Sequence, residues 1–332
     1  MNVKEHVQIR FDHLALQPEQ ETRRIVENMQ NQLINTLRRR GYIIALSGGI
    51  DSTVTAALCV RALGADNVLG LLMPERHSAS ETAGLGEVVT DWLGIRKEIR
   101  NITPVLDAVG CYSAQDEAIR SVIPEYKPGN PFKISLPQIG QGYRIFQLTV
   151  QTDDGQLLQK RMPHESYLQL VAATNYKQRV RKMLEYFYAD KYNYAVAGSP
   201  NRQEYDQGFF VKNGDGSADI KPIAHLYKTQ VYQLAEYLGV PEQIRKRPPT
   251  TDTYPLEQSQ EEFYFSLPFD KMDVCLYAKN NNIPLASVCE ATGLTEDQVE
   301  FVYKDIESKR RTTRYQHLHP LLVEKVDEIS AG

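Results

Sequence analysis

The stretch that most restricts this chain is Tyr42-Ile43-Ile44-Ala45-Leu46-Ser47-Gly48-Gly49-Ile50-Asp51-Ser52. A compact apolar run, then a Ser/Gly turn, then the helical pattern of Thr53 to Val60 predicts a strand buried on both faces that leads into a helix N-terminus. That geometry gathers backbone N–H groups around one point, where the helix dipole favours an anion. Two glycines let the backbone approach the anion closely. Asp51 is out of place beside a phosphate unless a divalent cation lies between them.

The surrounding pattern extends this unit into a parallel sheet. Gly64-Ala65-Asp66-Asn67 reads as a turn and Val68 to Met73 as a second buried strand, the spacing of a βαβ unit. Ligands of open α/β sheets collect at the carboxyl ends of the strands. Arg76, in the polar loop after the second strand, is placed either to meet a nucleotide or to stand as a solvated loop arginine. A helix follows over 81–93, then a strand over 96–102. The expected fold is α/β: a doubly wound, Rossmann-like parallel sheet flanked by helices.

Residues 1–40 read as a helical segment with Ile25, Met29, Leu33, Ile34 and Leu37 on one face. It ends at Arg38-Arg39-Arg40 and Gly41, a basic last turn with a C-terminal glycine. Prolines 124, 128, 131 and 137 break the text between 111 and 162, where 143–150 and 156–160 flank Asp153-Asp154-Gly155 as a β-hairpin. This reads as a β-rich insertion. A long helix to Lys191, a buried strand at 194–198 and a helix over 227–238 closed by Gly239 resume the core. Residues 246–260, with three prolines, read as a mobile loop. The division expected is 1–40, a core of 41–110 with 163–265, the insertion 111–162, and a helical region 266–332. Residues 284–299 have the look of a helix-turn-helix, a pattern that compact helical corners share.

Composition excludes several functions. The 332 residues carry a net charge of −4, which gives no support to nucleic-acid binding. The four cysteines, Cys59, Cys111, Cys275 and Cys289, have no CxxC spacing and suit a reducing compartment. No apolar run approaches membrane-spanning length and no signal pattern opens the chain. A soluble cytoplasmic protein is expected.

Ser47-Gly48-Gly49-Ile50-Asp51-Ser52 resembles the S-G-G-x-D-S loop of the ATP pyrophosphatases. Within that group, Gly208-Phe209-Phe210-Val211-Lys212-Asn213-Gly214-Asp215-Gly216-Ser217-Ala218-Asp219-Ile220-Lys221-Pro222-Ile223 is similar to a segment of the NAD synthetases, as are Leu226-Tyr227-Lys228-Thr229, Pro248-Pro249-Thr250-Thr251-Asp252 and Asn175 to Arg181. The resemblance covers roughly residues 20–110 and 165–315 and implies an ATP-dependent ligase that adenylates a carboxylate, most naturally nicotinic acid adenine dinucleotide, and transfers ammonia to it.

It also implies roles. Ser47, Gly48, Gly49, Ile50 and Ser52 would bind ATP phosphates, with Lys228 and Thr250. Asp51 and Glu204 would hold Mg²⁺. Arg179 would meet nucleotide or acyl substrate, Asp215 the substrate or attacking amine, and Lys309 the closing site; Asp51, Lys228 and Asp215 would carry the chemistry. A Gly-Asp-Gly turn accounts for Asp215 equally well. The family implies a homodimer. With only a short segment before the loop, the expected nitrogen source is free ammonia or an amine from a separate donor protein. Departures at Pro200, Gln203 and Gln260, and the insertion, leave open a related ligase acting on another carboxylate or amine.

Overall fold

The structure is a computed structural model that describes residues 11–78, 80–135, 146–249, 254–256, 258–265 and 267–326. After α1 (Pro18–Asn31) come β1 (Tyr42–Ala45), α2 (Ile50–Leu63), β2 (Val68–Leu72), α3 (Ser80–Leu93), β3 (Arg96–Ile99), α4 (Thr103–Ala108) and α5 (Cys111–Arg120). Then follow β4 (Phe132–Ser135), β5 (Gln147–Gln151), β6 (Leu157–Arg161), α6 (His164–Tyr192), β7 (Ala195–Ala197) and α7 (Arg202–Gln207). The helices α8 (Lys228–Leu238), α9 (Glu242–Arg245), α10 (Phe269–Asn280), α11 (Leu285–Thr292) and α12 (Glu296–Thr313) complete the order.

Four strands form a parallel sheet in the order β3-β2-β1-β7, with β1 between β2 and β7. Side chains alternate across it, as strand geometry requires. Tyr42 and Ile44 join a core with Val54 and Leu58 of α2, Met29 of α1 and Leu234 of α8. Ile43 and Val196 point into a second core with Leu106 of α4, Cys111 of α5 and Tyr188 of α6. Helices therefore cover both faces, as the near-continuous apolar strands demand. Each fully buried isoleucine of β1 contributes about 2 kcal/mol of burial.

A separate antiparallel sheet, β4-β5-β6, lies on α5 and α6. Phe132, Ile134, Leu148 and Val150 meet Ala118, Ile119 and Leu170 beneath it. The expected hairpin is present at Gln147–Gln151 and Leu157–Arg161, turning at a glycine with φ 82°. Residues 143–145 of the expected strand lie outside the described residues. The third strand, β4, was not read from the sequence, because Phe132 to Ser135 sits among prolines.

Two local expectations are corrected. The N-terminal helix does not end on Gly41: a wider turn over Gln32–Leu37 closes with Arg38 in the left-handed region at φ 52°. Gly41 instead marks a close approach, since a Cβ there would fall 2.6 Å from the Tyr194 ring. The third strand stops at Ile99 rather than 102. The helix-turn-helix pattern is α11 and α12, whose Val299, Val302 and Ile306 pack into a core with Met272 and Leu276 of α10. The second helix runs on to Thr313, and its Arg310 pairs with Asp206 of α7 at 2.5 and 2.7 Å. No described helix is long and apolar enough to cross a membrane.

Candidate active site

At the end of β1 the chain turns through Ser47-Gly48-Gly49 into α2, with Gly49 at the N-cap. Gly48 has φ +69° and a Cβ on it would lie 2.5 Å from Leu85 Cβ, so the turn requires glycine. The first intrahelical bond is Thr53 N–H to Gly49 O at 3.1 Å, which leaves the first-turn N–H groups of Ile50 to Ser52 ahead of it. Ser52 Oγ donates to Gly49 O at 3.0 Å and lies 3.4 Å from Ser47 Oγ. This is the cradle expected for an anion.

Asp51, in the first turn of α2, is paired with Lys228, whose side chain is 3% exposed. Asn201 Nδ2 donates to the other Asp51 oxygen at 3.2 Å. Asn201 is the N-cap of α7 and forms a reciprocal cap with Glu204: the Glu204 N–H donates to Asn201 Oδ1 at 3.2 Å, and the Asn201 N–H donates to Glu204 Oε2 at 3.0 Å. Gln260 Nε2 donates to Glu204 Oε1 at 3.1 Å. Burial first, and the Asp51 charge second, push the Glu204 carboxyl up to about 8.

Lys228 opens α8, and the acceptor at that helix N-terminus comes from far away in sequence. Asp273 of α10 accepts from Lys228 N at 3.2 Å, Thr229 N at 2.7 Å and Gln203 Nε2 at 2.6 Å. It is fully buried, and burial pushes its carboxyl up to about 6. Asp273 of α10 thus caps the helix that begins at Lys228.

Ser47, Asp51, Glu204 and Lys228 face a cavity of about 740 Å³, whose lining also includes Lys182 and Asp215. That volume is in the range of small-molecule sites. Asp215 opens onto it from the 208–217 loop and accepts from Val211 N at 2.8 Å. Arg179 is exposed on α6, lines the same cavity, and donates from Nε to Lys212 O at 3.3 Å. Lys309 also lines it but is buried, bound to Tyr264 O at 2.7 Å and Asp305 at 2.8 Å. Arg76 turns away to Asp107 at 3.5 Å and over the Tyr112 ring at 4.0 Å. Thr250 lies outside the described residues.

Sequence reasoning did not find Asn201, Asp273 or the pair of Lys182 and Glu185. For Asn201, an asparagine three residues before Glu204 at the start of a helix is a usable capping signal. Asp273 and the Lys182–Glu185 pair had no local signature. Among the described residues no group of three or more His, Cys, Asp or Glu side chains could hold a metal. Asp51 and Glu204 are two hard oxygen donors beside a phosphate cradle, and their mutual repulsion fits a shared cation; Mg²⁺ is commonly held by one or two carboxylates plus phosphates.

The parallel sheet, with an anion cradle and a cavity at the carboxyl end of β1, defines an α/β site able to hold a phosphate-bearing ligand. The family model described as NAD synthase matches residues 21–125 and 139–316. An NH(3)-dependent NAD(+) synthetase of Mesorhizobium japonicum is 55% identical over 317 residues, covering 95% of this chain and 99% of its own. Two solved structures share the fold at 22% identity: an NH3-dependent NAD synthetase from Campylobacter jejuni (TM-score 0.61, covering 93% of this chain and 100% of its own) and an NMN synthetase from Francisella tularensis (TM-score 0.60, 93% and 99%). The chain belongs to the NAD synthase family, whose members are ligases that form a carbon–nitrogen bond.

Proposed function

We propose that this protein converts nicotinic acid adenine dinucleotide to NAD with ATP and ammonia. The observation that carries the reading is the assembly of Asp51, Lys228, Asn201 and Glu204 around the 47–52 cradle, together with a near full-length relative of that activity. The match over 317 residues leaves too few unaligned to omit 111–162, so the insertion gives no reason to favour another carboxylate.

The substrate carboxylate oxygen attacks the ATP α-phosphorus and pyrophosphate leaves, giving an acyl adenylate. Ammonia then adds to the acyl carbon and AMP departs. The first-turn N–H groups of α2, the Ser47 and Ser52 hydroxyls and the Lys228 ammonium neutralise charge on the leaving phosphates. Asp51 and Glu204 would hold Mg²⁺, which when bound supplies further neutralisation of those phosphates. Asp215 stands at the amine side. Arg179 and Lys309 belong to the walls that orient the dinucleotide and keep water from the adenylate, and Thr250 is assigned to the ATP phosphates by the resemblance alone. We place the enzyme in the cytoplasm as a homodimer, a state that light scattering checks.

The test is an assay with ATP, Mg²⁺, ammonium and the dinucleotide. NAD and AMP formed in equal amounts support the reading; no NAD and no AMP would overturn it.

A further inference from the structure

Lys182 and Glu185 sit one turn apart on α6, joined at 2.7 Å with side chains 6% and 5% exposed, and both line the cavity. Burying two charges costs several kcal/mol per ion, and apolar side chains of similar volume usually serve a core as well or better. An ion pair of this kind against a reaction cavity therefore calls for an explanation other than stability. The 208–217 loop is seated directly on the preceding turn of α6. A Cβ on Gly214 would lie 2.9 Å from Gln178 Cβ, and Arg179 Nε holds Lys212 O at 3.3 Å. Asp215, next after Gly214, lines the same cavity as Lys182, one turn of α6 beyond Gln178.

We propose that the Lys182–Glu185 pair is a positioning pair for the amine half of the reaction: Lys182 turns a cation toward Asp215, and Glu185 anchors that cation and keeps the pair neutral beside an incoming ammonium. This rests on the proposed amidation, with Asp215 at the amine side. Ammonia in neutral water is almost wholly ammonium, so one N–H bond must break before attack. The proton passes to the Asp215 carboxylate, and the freed nitrogen lone pair forms the C–N bond; as the acyl C–O bond to AMP breaks, a second N–H proton leaves for the departing AMP phosphate, which gives the neutral amide. Asp215 can do this only as a carboxylate. Its place in the cavity wall raises its carboxyl, while the Val211 N–H, Lys182 and Arg181 oppose that rise. Lys221, itself shifted down by burial and by Lys182, faces the same group, and Glu204 feels the Asp215 charge from α7. Burial likewise pushes Glu185 up, against the pull of Lys182.

The test is the variant pair Lys182→Met with Glu185→Leu, which removes both charges and leaves no orphan. Its KM for ammonium should rise about tenfold or more, because loss of the Lys182 charge disfavours the carboxylate form of Asp215. The acid limb of kcat/KM for ammonium should move to higher pH. The KM for ATP and the dinucleotide-dependent exchange of pyrophosphate into ATP should hold within about twofold, because adenylation does not use Asp215. Lys182→Arg should restore the ammonium KM to within about threefold. An unchanged ammonium KM and pH profile in a double variant that still exchanges pyrophosphate would overturn the proposal and leave the amidation intact. A wild-type protein that makes no NAD would overturn both. Should the double variant not fold, Glu185→Gln, which keeps the shape, decides: a raised ammonium KM supports the pair, and an unchanged one rejects it.

Discussion

Asn201 Nδ2 reaches Asp51 Oδ1 at 3.2 Å across 150 residues of sequence, so the cap of one helix is also a ligand to the first turn of another. The side chain therefore does two separable jobs. Asn201→Ser should keep the cap of α7 and lose the Asp51 contact, whereas Asn201→Ala should lose both. The alanine variant should be about 1 kcal/mol less stable, a small fall in melting temperature, with the serine variant near wild type. Both should raise the KM for ATP several-fold. Thermal denaturation and ATP titration separate the two effects.

Lys228→Met leaves Asp51 without its buried cation. Breaking a buried pair costs about 3–5 kcal/mol, and the partial exposure of Asp51 (16%) places this case toward the lower end. AMP formation should fall by about a hundredfold or more, the scale of losing one charge-stabilising donor. Denaturant unfolding and a steady-state assay measure these; a folded variant with near-normal turnover would remove Lys228 from the chemistry.

Asp273→Asn tests positioning from a distance. The amide keeps the volume but loses the negative acceptor for the Lys228 and Thr229 N–H groups, and hydrogen bonds to a charged acceptor are worth about 1.5–3 kcal/mol each. The melting temperature should drop by several degrees and kcat should fall, although Asp273 does not line the cavity. A drop in stability with unchanged kcat would show that the cap does not govern Lys228.

Gly48→Ala should be disruptive out of proportion to its small size. The left-handed φ costs about 1–2 kcal/mol for a residue with a Cβ, and the contact with Leu85 adds to it. ATP affinity, read by calorimetry, should weaken at least about tenfold because the cradle must shift.

Acid sensitivity should come from the exit of β2. His77 is wedged edge-on to Tyr112 and Phe132, at 5.2 and 5.8 Å between ring centres, with Lys177 Nζ 3.1 Å from Nδ1. Burial, and then the Lys177 charge, push the imidazole down to about 4 from its ordinary 6.5. The folded value lies below the unfolded one, so the neutral ring contributes fully above pH 6.5 and loses its contribution as pH falls through 4. His77→Phe keeps the ring packing and should flatten the loss of melting temperature across that window. Parallel melting curves from pH 7 to 4 check it.

What the sequence made legible follows the range of the interactions. The cradle was readable because strand, turn and cap all lie within about a dozen residues and each obeys a local rule. Lys228 and Glu204 were readable only through resemblance, and the cavity brings both to its wall. Asp273 was not readable: its partners are 44, 45 and 70 residues away in sequence, and a buried aspartate in a helix has no periodic signature. The end of the first helix was misread for a different reason. Glycine is the usual left-handed cap, but Arg38 took that role at φ 52° while Gly41 was needed for the approach to Tyr194.

The Asp273 cap has a consequence for how the protein is made. Asp51 emerges early in translation, and its cradle is complete within one βα unit. Lys228 follows much later, yet the N-terminus of its helix meets its acceptor only when α10 has been synthesised and packed. A nascent chain that has all the nucleotide-facing residues up to Lys228 still lacks the group that seats it. The N-terminus of the helix that carries Lys228 is therefore completed only by a residue from the last third of the chain.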